Sequence, residues 1–497
     1  MSEEQRRKVV VIGGGLGGLS AAVGLSVAGF EVLLLEKNQH LGGKLNLSEQ
    51  DGFRFDLGPS IIILPQLFKR VFERAGRRFE DYVRFRELQP QWRSFFESGV
   101  RIDLHSDMRL MEAELAKLGA DAKGYWRFIE YSRRLYQFAE EAYLERGADT
   151  ATQILAGHSP AELLEGMDPT RSMHAGVARF IQEPHLQHML DFFIKYVGSS
   201  PYDAPALMNL LPYSQLGFGL WYVEGGMYAL AQGYRKLLDE LGVSIELGTE
   251  VTAIRKQDKH VMGVSTLDGR DIDADVVVSN MEVIPAYRKL MGESGVMMRR
   301  YEWMFEPAAS GLVLHLGIDR DYPQLQHHNF FFSGDPKHFL HTIHREKRLP
   351  EDPTIYLVCP TRTDPQLAPA GHHILKILPH LPYVQEPPFS EREYEDLEQR
   401  VLDKLERMGL HELRKHVVTR LCLRPEDIEK MYYSYRGAIY GTVAHRWKNL
   451  SLKAPKRSER YENLYFVGGS VNPGGGTPMV TLCGQLVAAA VARDWSS

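Results

Sequence analysis

Glycines at 13, 15 and 18 have the spacing G-x-G-x-x-G, directly after the apolar run KVVVI and before a stretch with helical periodicity. In that context each glycine has a task. The first permits a tight turn, the second lets backbone N–H groups approach a pyrophosphate, and the third lets the helix pack close to the strand. Leu16 and Gly17 lie inside the same turn. Glu36, followed by Lys37, ends the next apolar run. A carboxylate there accepts hydrogen bonds from ribose hydroxyls and repels a 2′-phosphate. The pattern reads as a dinucleotide site; the plainer alternative is a glycine-rich turn beside a surface glutamate. Gly42, Gly43 and Lys44 place a second flexible turn nearby, and Gly58, Pro59 and Ser60 a third. At the far end LYFV passes into Gly468, Gly469 and Ser470, three more glycines, then Thr477, Pro478 and Met479.

Two histidine pairs, His327–His328 and His372–His373, raise the question of a metal. Adjacent residues on a strand face opposite ways, and no H-x-x-x-H or carboxylate-rich triad accompanies them. Structural roles are expected and no metal. Cys359, Cys422 and Cys483 are too scattered for a zinc pattern or a disulfide framework. They suit a reducing compartment and read as small buried hydrophobes.

The elements that position these residues follow from the apolar pattern. Residues 8–12 and 30–37 read as buried parallel strands joined by a helix that Gly29 ends. Residues 108–146 carry Tyr125, Phe128, Ile129, Tyr136, Ala139 and Tyr143 at i, i+3, i+4 spacing, the stripe of a helix packed on a core. Residues 160–200 also read as helical. Pro212, Gly217 and Gly219 argue against one long helix over 206–223. Residues 241–280 read as a strand, a hairpin and a buried strand, 310–317 and 354–359 as strands, and 392–408 as a charged helix. The Pro-rich stretches at 360–390 read as ordered loops. A strand at 464–467 and a helix over Met479–Ala492 follow.

Composition narrows the class. With 59 basic and 64 acidic residues, net −5, the chain lacks the basic footprint of a nucleic-acid binder. The mean hydropathy is −0.29. No uncharged apolar run approaches the roughly 20 residues that span a bilayer, and Val9–Ile12 is too short for a signal-peptide core. A cytoplasmic protein is expected, with membrane contact at a surface only.

Two segments, EKNQHLGGKLN and DGFRFDLGPSIIILP, resemble flavin enzymes of the amine-oxidase and carotenoid-desaturase superfamily. FFIKYVGSSPYDAPALMNLLPYSQLGFGLWYVEGGM is similar to the bacterial carotenoid-desaturase family, with Val223 where that family often has proline. The segments around His327, Asp364 and His372 extend the resemblance over essentially the whole chain. It implies FAD and an α/β fold: a Rossmann-type FAD-binding domain with an inserted α+β substrate domain and a helical membrane-facing region. The implied division is 1–80, 225–290 and 455–497 for FAD, 81–224 for the helical region, and 291–454 for substrate. The resemblance puts Gly43 and Lys44 along the cofactor and Gly58, Pro59 and Ser60 beside the flavin ring. It puts the backbone of Val251 at the adenine, and Gly468, Gly469, Thr477, Pro478 and Met479 around the ribityl chain and flavin O2. Ser470 stands where the family usually has an aspartate for a ribityl hydroxyl.

The implied substrate is a long apolar isoprenoid polyene such as phytoene or 4,4′-diapophytoene, drawn from a membrane surface by a peripheral enzyme. Desaturation is the first expectation, by hydride transfer from an allylic carbon to flavin N5, with O2 or a quinone as final acceptor. Oxygenation of the terminal methyl of a C30 carotenoid is the alternative, favoured by GGGTPM at 474–479. An amine-oxidase-like or squalene-acting enzyme and a non-catalytic carotenoid carrier follow. Expected tunnel walls are Phe192, Phe193, Tyr196, Phe218, Trp221 and Tyr222, each also readable as core. Glu224, beside a glycine turn, is the one acidic residue offered for a catalytic role.

Overall fold

The computed structural model describes residues 6–156 and 158–495. Five short strands form a parallel sheet in the order Leu464–Phe466, Val276–Ser279, Lys8–Ile12, Glu31–Glu36, Ser244–Leu247. The central strands are near-continuous runs of Val, Leu and Ile, because both faces of a parallel sheet are covered. Helix Leu16–Val27 packs lengthwise on helix Thr477–Trp495. The approach is close because glycine lines the seam. A Cβ added at Gly24 would lie 2.6 Å from the Ala488 Cβ, and one at Gly484 would lie 2.5 Å from the Gly17 carbonyl oxygen. The Ser20 hydroxyl donates across the same seam to Thr481 O at 2.7 Å.

A second, eight-stranded sheet runs in the order Val417–Leu423, Val313–Ile318, His373–Leu381, Ile355–Val358, His328–Phe331, Trp92–Phe95, Arg101–Leu104, with Ser310–Gly311 paired onto His373–Leu381. Residues 92–104 therefore complete a sheet built mostly from 310–423. The helices Met108–Lys117 and Ala122–Ala139 and the shorter helices after them share one core with this sheet. Tyr125, Phe128, Tyr136 and Ala139 of the expected stripe are buried, and Ile129 is half-buried.

Two local expectations need correction. Residues 360–390 are not all loop, because His373–Leu381 is a nine-residue strand at the sheet centre. Its apolar residues outweigh Pro379, which sits opposite Ile355 near the end of its pairing with Ile355–Val358. His327 and His328 do not face apart: the strand begins at His328, and the two rings touch edge to face with centroids 4.4 Å apart. Residues 160–200 are helical as expected, as several short helices of which three are opened by their own caps, Ser159, Ser172 and Glu183.

Candidate functional site: a glycine cradle opening into an apolar cavity

The first glycine turn leaves the end of Lys8–Ile12. The Gly13 N–H donates to Leu35 O at 2.8 Å, and Gly13 has φ +92°, which a side chain would resist. A Cβ at Gly18 would lie 2.1 Å from Gly13 O, so helix and strand meet at a distance only glycine permits. Gly15 and Gly17 face Asn280, whose side chain would lie 2.5 Å and 2.8 Å from a Cβ at either position. Asn280 escaped the sequence reading. It is the polar residue that directly ends the apolar strand Val276–Ser279, and its N–H donates to Ile12 O at 2.8 Å. Gly15 caps the helix with backbone only, and Leu16 and Gly17 line the cavity.

Glu36 is 5% exposed. Its carboxylate accepts the Gly14 N–H at 2.7 Å and the Asn38 N–H at 2.8 Å, so the neighbouring strand holds the glycine turn in shape. Lys37 turns away, its Nζ 4.3 Å from the centre of the Tyr433 ring. Val251 opens a hairpin strand shortly after Thr249, whose N–H donates to Glu36 O at 2.9 Å.

Gly43 and Lys44 line the same cavity. The Lys44 Nζ donates to Ser434 Oγ and Ala438 O, both at 3.1 Å, and lies 3.7 Å from the Glu282 carboxylate. Burial pushes the Lys44 amine below its ordinary range and Glu282 opposes that shift. Gly58 passes so close that a Cβ would lie 1.6 Å from Lys44 O. Gly58, Pro59 and Ser60 all line the cavity. The Lys376 Nζ donates to Gly58 O and, at 3.1 Å, to Ser60 Oγ; burial brings its pKa down to about 8 against the pull of Asp56. Asp56 in turn accepts the Met227 N–H at 2.8 Å and the Tyr228 N–H at 3.2 Å.

The C-terminal turn closes the cradle. Gly468 and Gly469 line it with Thr477, Pro478 and Met479. The Thr477 hydroxyl donates to Ile61 O at 3.3 Å and joins this turn to the Gly58–Ser60 segment. A Cβ at Gly475 would lie 2.3 Å from Tyr440 O. Ser470 stands behind the wall, and its Oγ accepts the Val283 N–H at 3.0 Å.

From the cradle one cavity of about 450 Å³ continues among Ile61, Leu64, Tyr136, Leu211, Val313 and Leu378. Of the six aromatics expected on its wall, Tyr196 lines it. Phe193 packs behind, against Trp92 and Tyr196, and Phe192 against Phe330 and Phe332. Phe218 packs at a tilt against Tyr136, a wall residue. The Trp221 Nε1 donates to Phe218 O at 2.7 Å, and the Tyr222 hydroxyl bonds Asp364 at 3.2 Å. Glu224 is exposed and lies off the wall. Asn280, Glu282, Lys376, Tyr356 and Tyr440 are wall residues that no motif announced.

The cradle fits a dinucleotide flavin. Glycines hold its floor open where a Cβ would strike Asn280 or main chain, and it opens into a largely apolar chamber. Comparison with known proteins agrees. The family of flavin-containing amine oxidoreductases matches residues 16–492. A 4,4′-diapolycopene oxygenase of a Methylomonas species is 52% identical over 496 residues, 99% of this chain and 100% of the relative. A 4,4′-diaponeurosporene oxygenase of Staphylococcus haemolyticus is 47% identical over 97% of this chain and 96% of its own length. Among solved structures, an oxidoreductase of Methanosarcina mazei superposes with TM-score 0.63 at 16% identity, covering 97% of this chain and 100% of that one. Putrescine oxidase does so with TM-score 0.64 at 14% identity, covering 98% and 99%; these two likenesses concern the fold. The chain belongs to the flavin-containing amine oxidoreductase family, in its carotenoid branch, and is an FAD-dependent oxidoreductase.

Proposed function

We propose that this protein oxygenates the terminal carbon of a C30 polyene, the alternative reading of the sequence, and that desaturation is the second reading. The observation that carries the proposal is the cavity, with a glycine cradle at one part and walls rich in aliphatic and aromatic side chains over the rest. The oxygenase names of the relatives favour oxygenation over desaturation. Bound FAD supplies two-electron oxidation chemistry. The chain's own residues do the remainder. Gly13 to Gly18, Gly43, Lys44, Gly58 to Ser60, Gly468, Gly469 and Thr477 to Met479 hold the cofactor. Glu36 shapes the first turn, Val251 offers backbone to the adenine, and Ser470 supports the second turn through Val283. Ile61, Leu64, Leu211, Val313 and Leu378 orient the polyene and exclude water.

A polyene of this kind reaches the enzyme from a bilayer, so we read the protein as a peripheral, cytoplasmic-face enzyme. No helix among the described residues is long and apolar enough to cross a membrane. Support for surface contact comes from Leu155, Leu164, Trp447 and Leu450, which are exposed. Leu450 itself lines the cavity, as do Ile154 and Met167, near neighbours in sequence of the other exposed leucines. Such a patch suits shallow insertion. O2 or a quinone takes the electrons.

Product analysis in a host that makes 4,4′-diaponeurosporene or 4,4′-diapolycopene tests the reaction. Aldehyde or alcohol end groups are expected; unchanged hydrocarbon, or additional double bonds alone, would remove the oxygenase reading. Isotopically labelled dioxygen appearing in the end group identifies O2 as the oxygen source. Flotation with liposomes tests docking, and protein that stays at the bottom of the gradient contradicts it.

A further inference from the structure

Six tyrosines line the cavity, Tyr136, Tyr143, Tyr196, Tyr356, Tyr432 and Tyr440, and three of them act on one another as titrating groups, Tyr196 with Tyr440 and Tyr356 with both. The hydroxyls of these three are each held by a side chain behind the wall. The Tyr196 hydroxyl donates to Gln215 Oε1 at 2.6 Å, and Gln215 is itself held by Gln91 at 2.8 Å. The Tyr356 hydroxyl is hydrogen-bonded to His328 Nδ1 and the Tyr440 hydroxyl to His380 Nε2, both at 2.9 Å. Tyr440 places the group beside the cradle, because its main chain abuts Gly475.

The tautomer of His328 decides which way one proton points. His328 Nε2 is buried and has no partner among the described residues. An unanswered buried N–H is the costlier arrangement, so the ring proton belongs on Nδ1. There it donates to the Tyr356 oxygen, and the Tyr356 O–H is left free. Tyr196 is the complement. Its proton is committed to Gln215, so its oxygen is left to accept. Burial keeps His328 and His380 neutral, His380 down to about 4, so neither ring becomes a double donor at neutral pH. Burial also holds the Tyr196 and Tyr356 phenols well above their ordinary range, and the neighbouring phenols, Tyr440 for Tyr196 and Tyr196 with Tyr440 for Tyr356, push the same way. The three remain neutral hydroxyls.

A hydrocarbon offers these groups no hydrogen-bond partner, and a buried hydroxyl left with unused hydrogen-bonding capacity carries a desolvation penalty. We propose that Tyr196, Tyr356 and Tyr440 form a binding site for an oxygen atom at the end of an apolar chain, so that the cavity prefers a polyene whose terminus already carries oxygen over the parent hydrocarbon. Tyr356 donates to a carbonyl or alcohol oxygen, and Tyr196 accepts from an alcohol O–H. The site thus retains a partly oxidised chain end beside the cofactor for a further oxidation instead of releasing it. This rests on the polyene reading of the cavity.

The test uses holoprotein and two probes in detergent or liposomes: a C30 polyene hydrocarbon and the same polyene with one terminal aldehyde. Binding is followed by the shift of the polyene absorption band. The wild-type protein is expected to bind the aldehyde more tightly. Tyr356→Phe is expected to weaken the aldehyde about 3- to 15-fold, the equivalent of one hydrogen bond, and to leave the hydrocarbon within about twofold, whereas Tyr196→Phe, which removes only an acceptor, leaves both probes within about twofold. Flavin content and melting temperature report whether either variant is misfolded; His328→Gln, which keeps Tyr356 and removes its partner, gives a second route to the same loss. Equal weakening of both probes by Tyr356→Phe, or no weakening of either, overturns the tyrosine site and leaves the polyene reading standing. Wild-type protein that binds neither probe overturns both.

Discussion

The cradle and the chamber it opens into are built by opposite means. Around the cradle glycine meets main chain at Gly18, Gly58 and Gly475 and the Asn280 side chain at Gly15, and the specification is the absence of side chains at these four positions. In the chamber the specification is which side chains are present, and they come from a helix, a sheet and a loop far apart in sequence. The difference predicts different tolerance. An added methyl in the cradle has nowhere to go, whereas an added group in the chamber displaces substrate first.

Gly58→Ala presses hardest on that contrast. Its Cβ would lie 1.6 Å from Lys44 O, an overlap that only backbone movement relieves. The variant is expected to lose FAD affinity by about 100-fold or more, an overpacking cost of about 3 kcal/mol. Flavin absorbance retained through gel filtration at the wild-type ratio would refute this. Leu378→Trp is the counterpart in the chamber. It should keep its flavin while turnover of the polyene falls about 100-fold, because the bulky ring occupies the substrate's path. Equal loss of flavin and turnover would erase the distinction between the two regions.

A smaller effect concerns the segment between them. Val443 donates its N–H to Glu306 O, and the Glu306 carboxylate meets Lys347 at 2.7 Å and Lys448 at 2.9 Å. Burial works against this carboxylate, but the two lysines win and bring its pKa down to about 2. A carboxyl lowered in the folded state stabilises it above the unfolded value and loses that contribution as pH falls. Between pH 4.5 and 2 the wild type should therefore lose about 2 kcal/mol that Glu306→Gln never had. Urea midpoints of both proteins across that window should converge as the pH drops. The smallest expected effect is that of Ser470→Asp. Restoring the family's usual carboxylate is expected to tighten FAD about threefold, less than one typical hydrogen bond, readable by titration of apoprotein. Weaker binding would mean that the Val283 N–H contact made by Ser470 matters more.

The same contrast explains what the sequence revealed. Gly13, Gly15, Gly18 and Glu36 are local and periodic, so their spacing already carries the geometry: the carboxylate that ends one strand grips the turn that ends its neighbour. The resemblance led to the third and fourth glycine turns for the same reason. Asn280 was missed because nothing at its own position marks it; its importance arises from the glycines of another segment. Lys376, Tyr356 and Tyr440 were missed because each looks like core until a sheet register and a loop bring it to one wall. Phe192 and Phe193 show the reverse. They have the right chemistry for a tunnel, yet packing places them one layer behind Tyr196. His373–Leu381 reads as loop locally because of Pro379, its histidines and the prolines around it, and becomes a strand through neighbours on both sides.

The strand order of the parallel sheet also sets a timetable. Lys8–Ile12 and Glu31–Glu36 are synthesised early, yet the edge of Val276–Ser279 is covered only when Leu464–Phe466 pairs with it. The helix that packs along Leu16–Val27 is made later still. While the ribosome is working on the intervening residues, the nucleotide sheet has an open flank and its first helix lacks its partner. Exposed strand edges of this kind invite pairing with other chains. Cofactor capture therefore belongs to the end of synthesis, after the last strand and helix have closed the nucleotide sheet.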